Sequence, residues 1–432
     1  MTTDALHNGD MPIIHAGFIP LTDAAPLLIA KALGFDAQFG FELRLHREVS
    51  WANIRDKTDH GIFDCAHMLA AMPIASTLGL GRAPVPMIAP MALNLNGNAI
   101  TVSNPLYAAM ANADPEATRT GGMAAASALA KVVRARQARG EPPLTLGMVY
   151  PFSCHNYDLR YWLASAGIHP DNDVTLVVIP PPLIAEGLAA GHVDGYCVGA
   201  PWGAVSVING GGHIVATKHE LWANSPEKVL GVRMDWAERN PGLLKPLIMA
   251  LLTAAQWLDQ PEHLDEATHI LAQAQHVGVD AALIRRGLAG SLIRHPGGEP
   301  GADADFIVFH RYAANFPWVS HAIWLLTQMQ RWGQITQALD MTAIASQVYR
   351  PDLYRAAAQG LGLSSPLMDM KAEGDGQAVV AGDRGDIALG EGRFFGGESF
   401  DPADAAAYLR SFAIRSVPAQ PLPRPEPHLP LC

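Results

Sequence analysis

With 432 residues, 49% of them hydrophobic and 16% charged, the chain exceeds what one compact core accommodates and is expected to divide into two lobes. A formal net charge of −11 argues against direct binding to nucleic acid or to an anionic membrane, and any anion site has to be electropositive locally. The opening MTTDALHNGDMPIIHAGFIP has no basic n-region and no apolar h-region, so no secretory signal and a cytoplasmic location are expected. Cys65, Cys154, Cys197 and Cys432 have no metal-like spacing; reduced thiols fit best, and a bridge among the first three stays open.

In chain order, residues 12–18 read as a strand, 24–34 as a helix stopped by Gly34, and 41–46 as an alternating strand. Residues 51–60 look helical, and 61–66 read as a buried strand. Further strands are expected at 144–149, 174–179 and 193–198, with a helix at 157–166 ended by Gly167. Short apolar runs alternating with helices imply βαβ units and a mostly parallel sheet. Beyond about residue 235 the texture turns helical, at 241–258, 263–276, 281–287 and 319–334. In 241–258, Leu244, Leu247, Ile248, Leu251, Leu252 and Ala255 share one face, while Lys245, Pro246, Thr253 and Gln256 mark a core helix and not a membrane span. Residues 371–400, rich in Gly and Asp, read as surface loops, and the proline-rich 418–432 as an extended, poorly ordered tail.

The stretch Tyr150-Pro-Phe-Ser-Cys-His-Asn-Tyr places Cys154, His155 and Asn156 side by side, the residue types of a cysteine protease. Adjacent residues in one turn point apart, so they do not converge as nucleophile, base and orienter. The stretch instead resembles a strand end, an N-cap at Ser153 and a first helical turn, whose free N–H groups and dipole suit an anion or merely cap the helix. Ser50-Trp-Ala-Asn-Ile-Arg-Asp similarly starts a helix, and Trp51 is either a packed wall or an indole donor to a ligand. Leu93-Asn-Leu-Asn-Gly-Asn-Ala-Ile100 sets Asn98 beside Gly97, as turn chemistry also would. Cys197-Val-Gly-Ala-Pro-Trp202 brings Gly199 to a strand end, and Ser225-Pro-Glu-Lys puts Lys228 before an apolar run. Asp64, His67 and His155 have no recognised metal spacing, and Asn209-Gly-Gly-Gly212 lacks the Lys-Ser/Thr of a phosphate loop.

Taken together, the order and spacing of these segments resemble the nitrate- and bicarbonate-binding protein family, the substrate-binding components of nitrate ABC transporters. The resemblance is carried by Ser50-Trp-x-x-x-Arg-Asp56, Asp64-Cys-Ala-His-Met-Leu-Ala-Ala-Met-Pro73, Asn94-Leu-Asn-Gly97 and His155-x-x-Asp-Leu-x-Tyr-Trp-Leu163. It continues in Pro180-Pro-Pro182, Cys197-Val-Gly-x-Pro-Trp202, Pro226-Glu-Lys-x-x-Gly231 and the segment from Ser320 to Gly333. It implies an α/β, two-lobed periplasmic-binding-protein-like (type II) fold with the ligand in a cleft between lobes. The implied lobes are 12–101 plus 216–415 and 102–215, with 416–432 as a disordered proline-rich tail. Carried over by motif, Trp51, Asn98, His155, Gly199 and Lys228 would line the cleft. An indole N–H, an amide, an imidazole, a backbone N–H and an ammonium match a flat monoanion with three acceptor oxygens.

The same resemblance implies no enzyme, no cofactor and no metal. Lysine at 228, where the bicarbonate binders are expected to carry an acidic residue, favours nitrate or nitrite, and Lys228→Glu should abolish binding with the fold intact. Exported nitrate binders carry glutamine where Asn98 stands, so the shorter amide should leave the pocket roomier or let it accept nitrite. The chain is most similar to the cytoplasmic NasS-type nitrate/nitrite sensor branch. Such sensors release an RNA-binding, response-regulator-like antiterminator partner when the anion binds, and themselves touch neither nucleic acid nor membrane. The alternative is the nitrate-binding component of an ABC transporter.

Overall fold

A computed structural model describes residues 11–416, so nearly all of the expected proline-rich tail lies outside the described residues. Five strands begin the chain: β1 (Ile13–Phe18), β2 (Glu42–Arg47), β3 (Cys65–Leu69), β4 (Met87–Asn96) and β5 (Asn98–Ser103). Then come β6 (Leu144–Met148), β7 (Val174–Val178), β8 (Gly195–Gly199), β9 (Gly212–Thr217) and β10 (Pro226–Arg233). A small ribbon of β11 (Ser291–Ile293) and β12 (Pro300–Ala302) and the short β13 (Ile307–Val308) follow. The strands form a six-stranded sheet of order β13-β4-β10-β3-β1-β2 and a five-stranded sheet of order β7-β6-β8-β5-β9, the cores of two lobes.

Both sheets are mixed, not mostly parallel. β1 pairs in parallel with β2 and β3, and β6 with β7 and β8. β10 is antiparallel to β3 and β4, and β5 is antiparallel to β8 and β9. The reason is the route of the chain. β5 and β10 enter their sheets from the cleft just after the chain has crossed between lobes, so each runs against neighbours that end there. The first crossing is a sharp bend in which Asn96 (φ 60°) and Gly97 (φ 92°) are left-handed, a conformation that asparagine tolerates and glycine adopts freely. The second runs through residues 218–225.

Most expected elements form, with shifted ends. The strand read at 61–66 begins at Cys65 instead, because Gly61 (φ 71°) turns the chain and Asp64 bonds to the His15 N–H. β4 is buried along its whole length and shows no alternation, which hid it among apolar residues. The helix Pro241–Leu258 is apolar and long enough to cross a membrane by composition, yet its Leu244-Leu247-Ile248-Leu251 face is buried in the first lobe. Residues 371–400 contain the short ribbon Val379–Val380 with Ile387–Ala388 and a 3-10 turn at Phe395–Gly397, and Glu373 anchors them through Trp222 Nε1 and His321. The C-terminal part packs on the second lobe: the Phe395 ring stacks on Tyr161 at 3.8 Å and Gln334 accepts from Tyr157 Oη at 2.7 Å.

Candidate functional site

Two helices begin at the cleft with the same local solution. Ser50 caps the helix Trp51–Asp59 by accepting from Asn53 N, and Ser153 caps Cys154–Ser165 by accepting from Asn156 N. Each cap leaves the N–H groups of the first two helical residues without an intrahelical partner, and both dipoles favour negative charge beyond the helix start. Trp51 and His155 stand in these first turns, one from each lobe. Gly199 ends β8 opposite Asn98, the first residue of β5. Ala200 N bonds to Gly97 O at 2.8 Å, so by the alternation of an antiparallel ladder the Gly199 N–H points away from β5, toward the turn that carries His155. A β-carbon at Gly199 would lie 3.6 Å from His155 Nε2 and 3.4 Å from Asn98 Oδ1.

Lys228, on β10, is fully buried at the centre. Its Nζ donates to Asp23 Oδ2 at 2.7 Å and Glu227 Oε1 at 2.6 Å, and lies 5.6 Å from the Trp51 ring centroid. Burial alone would lower the pKa of this ammonium, but Asp23 and Glu227 outweigh it and hold the pKa above the ordinary value. Behind it, Lys218 Nζ contacts Glu227 Oε2 at 2.7 Å and Asp158 Oδ2 at 3.1 Å. Burial would raise Glu227, yet the two lysines keep it well below the usual carboxylate range. Asp158 behaves differently: burial pushes it up to about 6 against the pull of Lys218. Burial also lowers His155 to about 3, so the imidazole is neutral at pH 7. His67 Nε2 lies 2.9 Å from Asp23 Oδ1 but is poorly aligned for a hydrogen bond.

The structure therefore brings all five residues, Trp51, Asn98, His155, Gly199 and Lys228, to one place. Several buried polar atoms there lack a hydrogen-bond partner among the described residues: Trp51 Nε1, Asn98 Oδ1, both His155 ring nitrogens and both Asp158 oxygens. Such a concentration of unmet donors and acceptors is what a polar ligand would satisfy. Because Trp51 Nε1–H is already unpaired, Trp51→Phe is expected to lose packing but no hydrogen bond, about 1 to 2 kcal/mol of stability measured by urea denaturation.

Sequence reasoning missed Asp23, His67, Asp158, Lys218 and Glu227 as members of the cluster. His67 had been weighed only as a metal ligand beside Asp64, whose carboxylate is spent on the His15 N–H at 2.8 Å. Cys154, Cys65 and Cys197 are free buried thiols. Burial raises the Cys154 thiol well above its ordinary pKa, the reverse of what a nucleophilic cysteine needs.

A model of the NMT1-like family matches residues 9–272. The chain belongs to the NMT1-like family. Within reach of it in sequence is the nitrate/nitrite binding protein NrtA of Synechococcus elongatus, 34% identical over 424 residues that cover 95% of this chain and 89% of that protein. The nitrate import ATP-binding protein NrtC of a Synechocystis strain is 36% identical over 403 residues, 92% of this chain; those residues span 55% of its own length. In structure, the periplasmic nitrate-binding protein NrtA from Synechocystis PCC 6803 aligns with a TM-score of 0.81 at 31% identity, covering 94% of this chain and 99% of that one. The resemblance read from the motifs and the two-lobed fold it implied are both borne out.

Proposed function

We propose that this NMT1-like protein binds nitrate or nitrite between its lobes and serves as the substrate-binding component of an anion importer. One observation carries the reading: unpartnered buried donors at two convergent helix starts surround a fully buried lysine. Trp51 Nε1–H, the Gly199 N–H and His155 would each meet an anion oxygen, and Lys228, still holding one N–H beyond its two carboxylate bonds, would supply charge. The best small ligands gain about 1.5 kcal/mol per heavy atom, about 6 kcal/mol for four atoms, which corresponds to a Kd on the order of tens of micromolar.

Calorimetric titration with nitrate, nitrite and bicarbonate tests it. Micromolar heats with nitrate or nitrite and none with bicarbonate are expected; silence with all three would remove the ligand class. Trp51→Phe, which loses a donor to a charged acceptor, should weaken nitrate binding by about tenfold to a hundredfold. One relative is named as a nitrate import protein and the structural neighbour as a periplasmic nitrate-binding protein, which favours the importer role over the cytoplasmic sensor with its antiterminator partner. Affinity capture from cells with and without nitrate separates the two: the importer role predicts co-purification of a membrane permease, the sensor role a partner lost on nitrate addition.

A further inference from the structure

The cleft is crowded with negative charge. The carboxylates of Asp23, Glu227 and Asp158 face the two ammonium groups of Lys218 and Lys228, all buried. The other titratable neighbours are neutral: His67 from β3, His155 and Cys154 from the helix Cys154–Ser165, Cys197 from β8, and Tyr349 and His321 near Lys218. A monoanion entering beside Lys228 would add a fourth negative charge against two positive ones. Lys228 cannot neutralise it alone, because Asp23 and Glu227 already share that ammonium. An uncompensated charge in so buried a site is strongly disfavoured.

One of the three carboxylates is held in its charged form much less firmly than the others. Glu227 touches both lysines, and Asp23 touches Lys228 and His67. Asp158 has a single close cation, Lys218 at 3.1 Å, and neither of its oxygens has a hydrogen-bond partner among the described residues. It lies one helical turn beyond His155 and faces Asn98, whose Oδ1 is also unpartnered.

Resting on the nitrate-class reading of the cleft, we propose that the anion binds together with a proton, which the carboxylate of Asp158 takes from solvent as the anion enters. The step is a simple protonation: the carboxylate becomes a neutral acid, and the net charge of the cluster is unchanged by the arriving anion. The new O–H can donate to Asn98 Oδ1, the free end of an amide whose NH2 group is held by Glu227. Asp158 is thus a positioning residue that sets the pH dependence of binding without touching the anion. The raised pKa of its free form puts this transition close to neutral pH. Below that pKa Asp158 is protonated in both states and affinity is constant. Above it, each anion must bring a proton, so affinity falls as pH rises.

Nitrate titrations of the full chain, in buffers of different ionisation enthalpy, test the coupling. Wild type should lose about fiftyfold in affinity between about pH 6 and about pH 8, with most of a proton taken up per nitrate near pH 7. Asp158→Asn, which mimics the neutral acid, should bind with a Kd independent of pH over that range, near the wild-type value at low pH, and without proton uptake. A flat wild-type profile with no buffer dependence would overturn the coupling while leaving the anion site standing, and so would an Asn variant that keeps the wild-type profile. Absence of nitrate binding at every pH would instead sink the functional reading itself. Should Asp158→Asn fail to fold, difference infrared spectra of wild type decide. Nitrate addition at neutral pH should produce a protonated-carboxyl stretch, and its absence counts against the proposal.

Discussion

Lys228→Met is expected to abolish nitrate binding and to cost about 3 to 5 kcal/mol of stability. The methionine keeps most of the buried volume but leaves Asp23 without its ammonium and Glu227 with Lys218 alone, two buried carboxylates each within 2.7 Å of the lost group. Urea denaturation and calorimetry on the same preparation read both effects. Full nitrate affinity in the variant would remove Lys228 from the site, and unchanged stability would mean that the neighbouring carboxylates are not ionised. The structure also corrects the expectation that Lys228→Glu spares the fold. A glutamate there would stand among Asp23, Glu227 and Asp158 with only Lys218 to offset them, so that variant should be less stable than the methionine one and is a poor probe of binding.

Gly199→Ala is the complementary experiment, with a large effect on binding and a small one on the fold. Gly199 is not among the residues with positive φ, so alanine strains no backbone. Its methyl would stand 3.1 Å from Asp23 Oδ2, 3.4 Å from Asn98 Oδ1 and 3.6 Å from His155 Nε2, in the space where donors from the two lobes converge. Nitrate affinity should fall by about a hundredfold or more, equivalent to about 2.7 kcal/mol, while stability changes by no more than about 1 kcal/mol. An alanine variant that binds nitrate as wild type does would place the ligand elsewhere in the cleft. Together the two variants separate the charge that the anion needs from the space that it occupies.

Local chemistry was readable from the chain. Ser153 caps a helix as its position before Cys-His-Asn suggested, Gly34 and Gly167 adopt left-handed conformations just past helix ends, and Pro241–Leu258 forms with the bounds its apolar face marked. These features depend on neighbours a few residues away, and a sequence displays such neighbours directly. The motifs also named the five residues that meet in the cleft, although composition and periodicity alone left each of them with a simpler structural account.

What escaped was whatever depends on residues distant in the chain. Asp23 meets Lys228 across 205 positions, and Asn98 meets Glu227 across 129. Periodicity tells which face of a helix or strand is buried; it carries no label for the partner on the other side. Glu227 and Asp158 looked like ordinary acidic residues, and only the packing of both lobes shows that one is clamped between two lysines while the other is left with one. The mixed strand order was hidden for the same reason, since the direction in which β5 and β10 enter their sheets is set by the path between lobes. Helix starts, helix ends and the identities of the donors are thus local and written in the chain. The charge balance of the cleft is a sum over groups from four separate segments, and it exists only once the fold has taken them out of water.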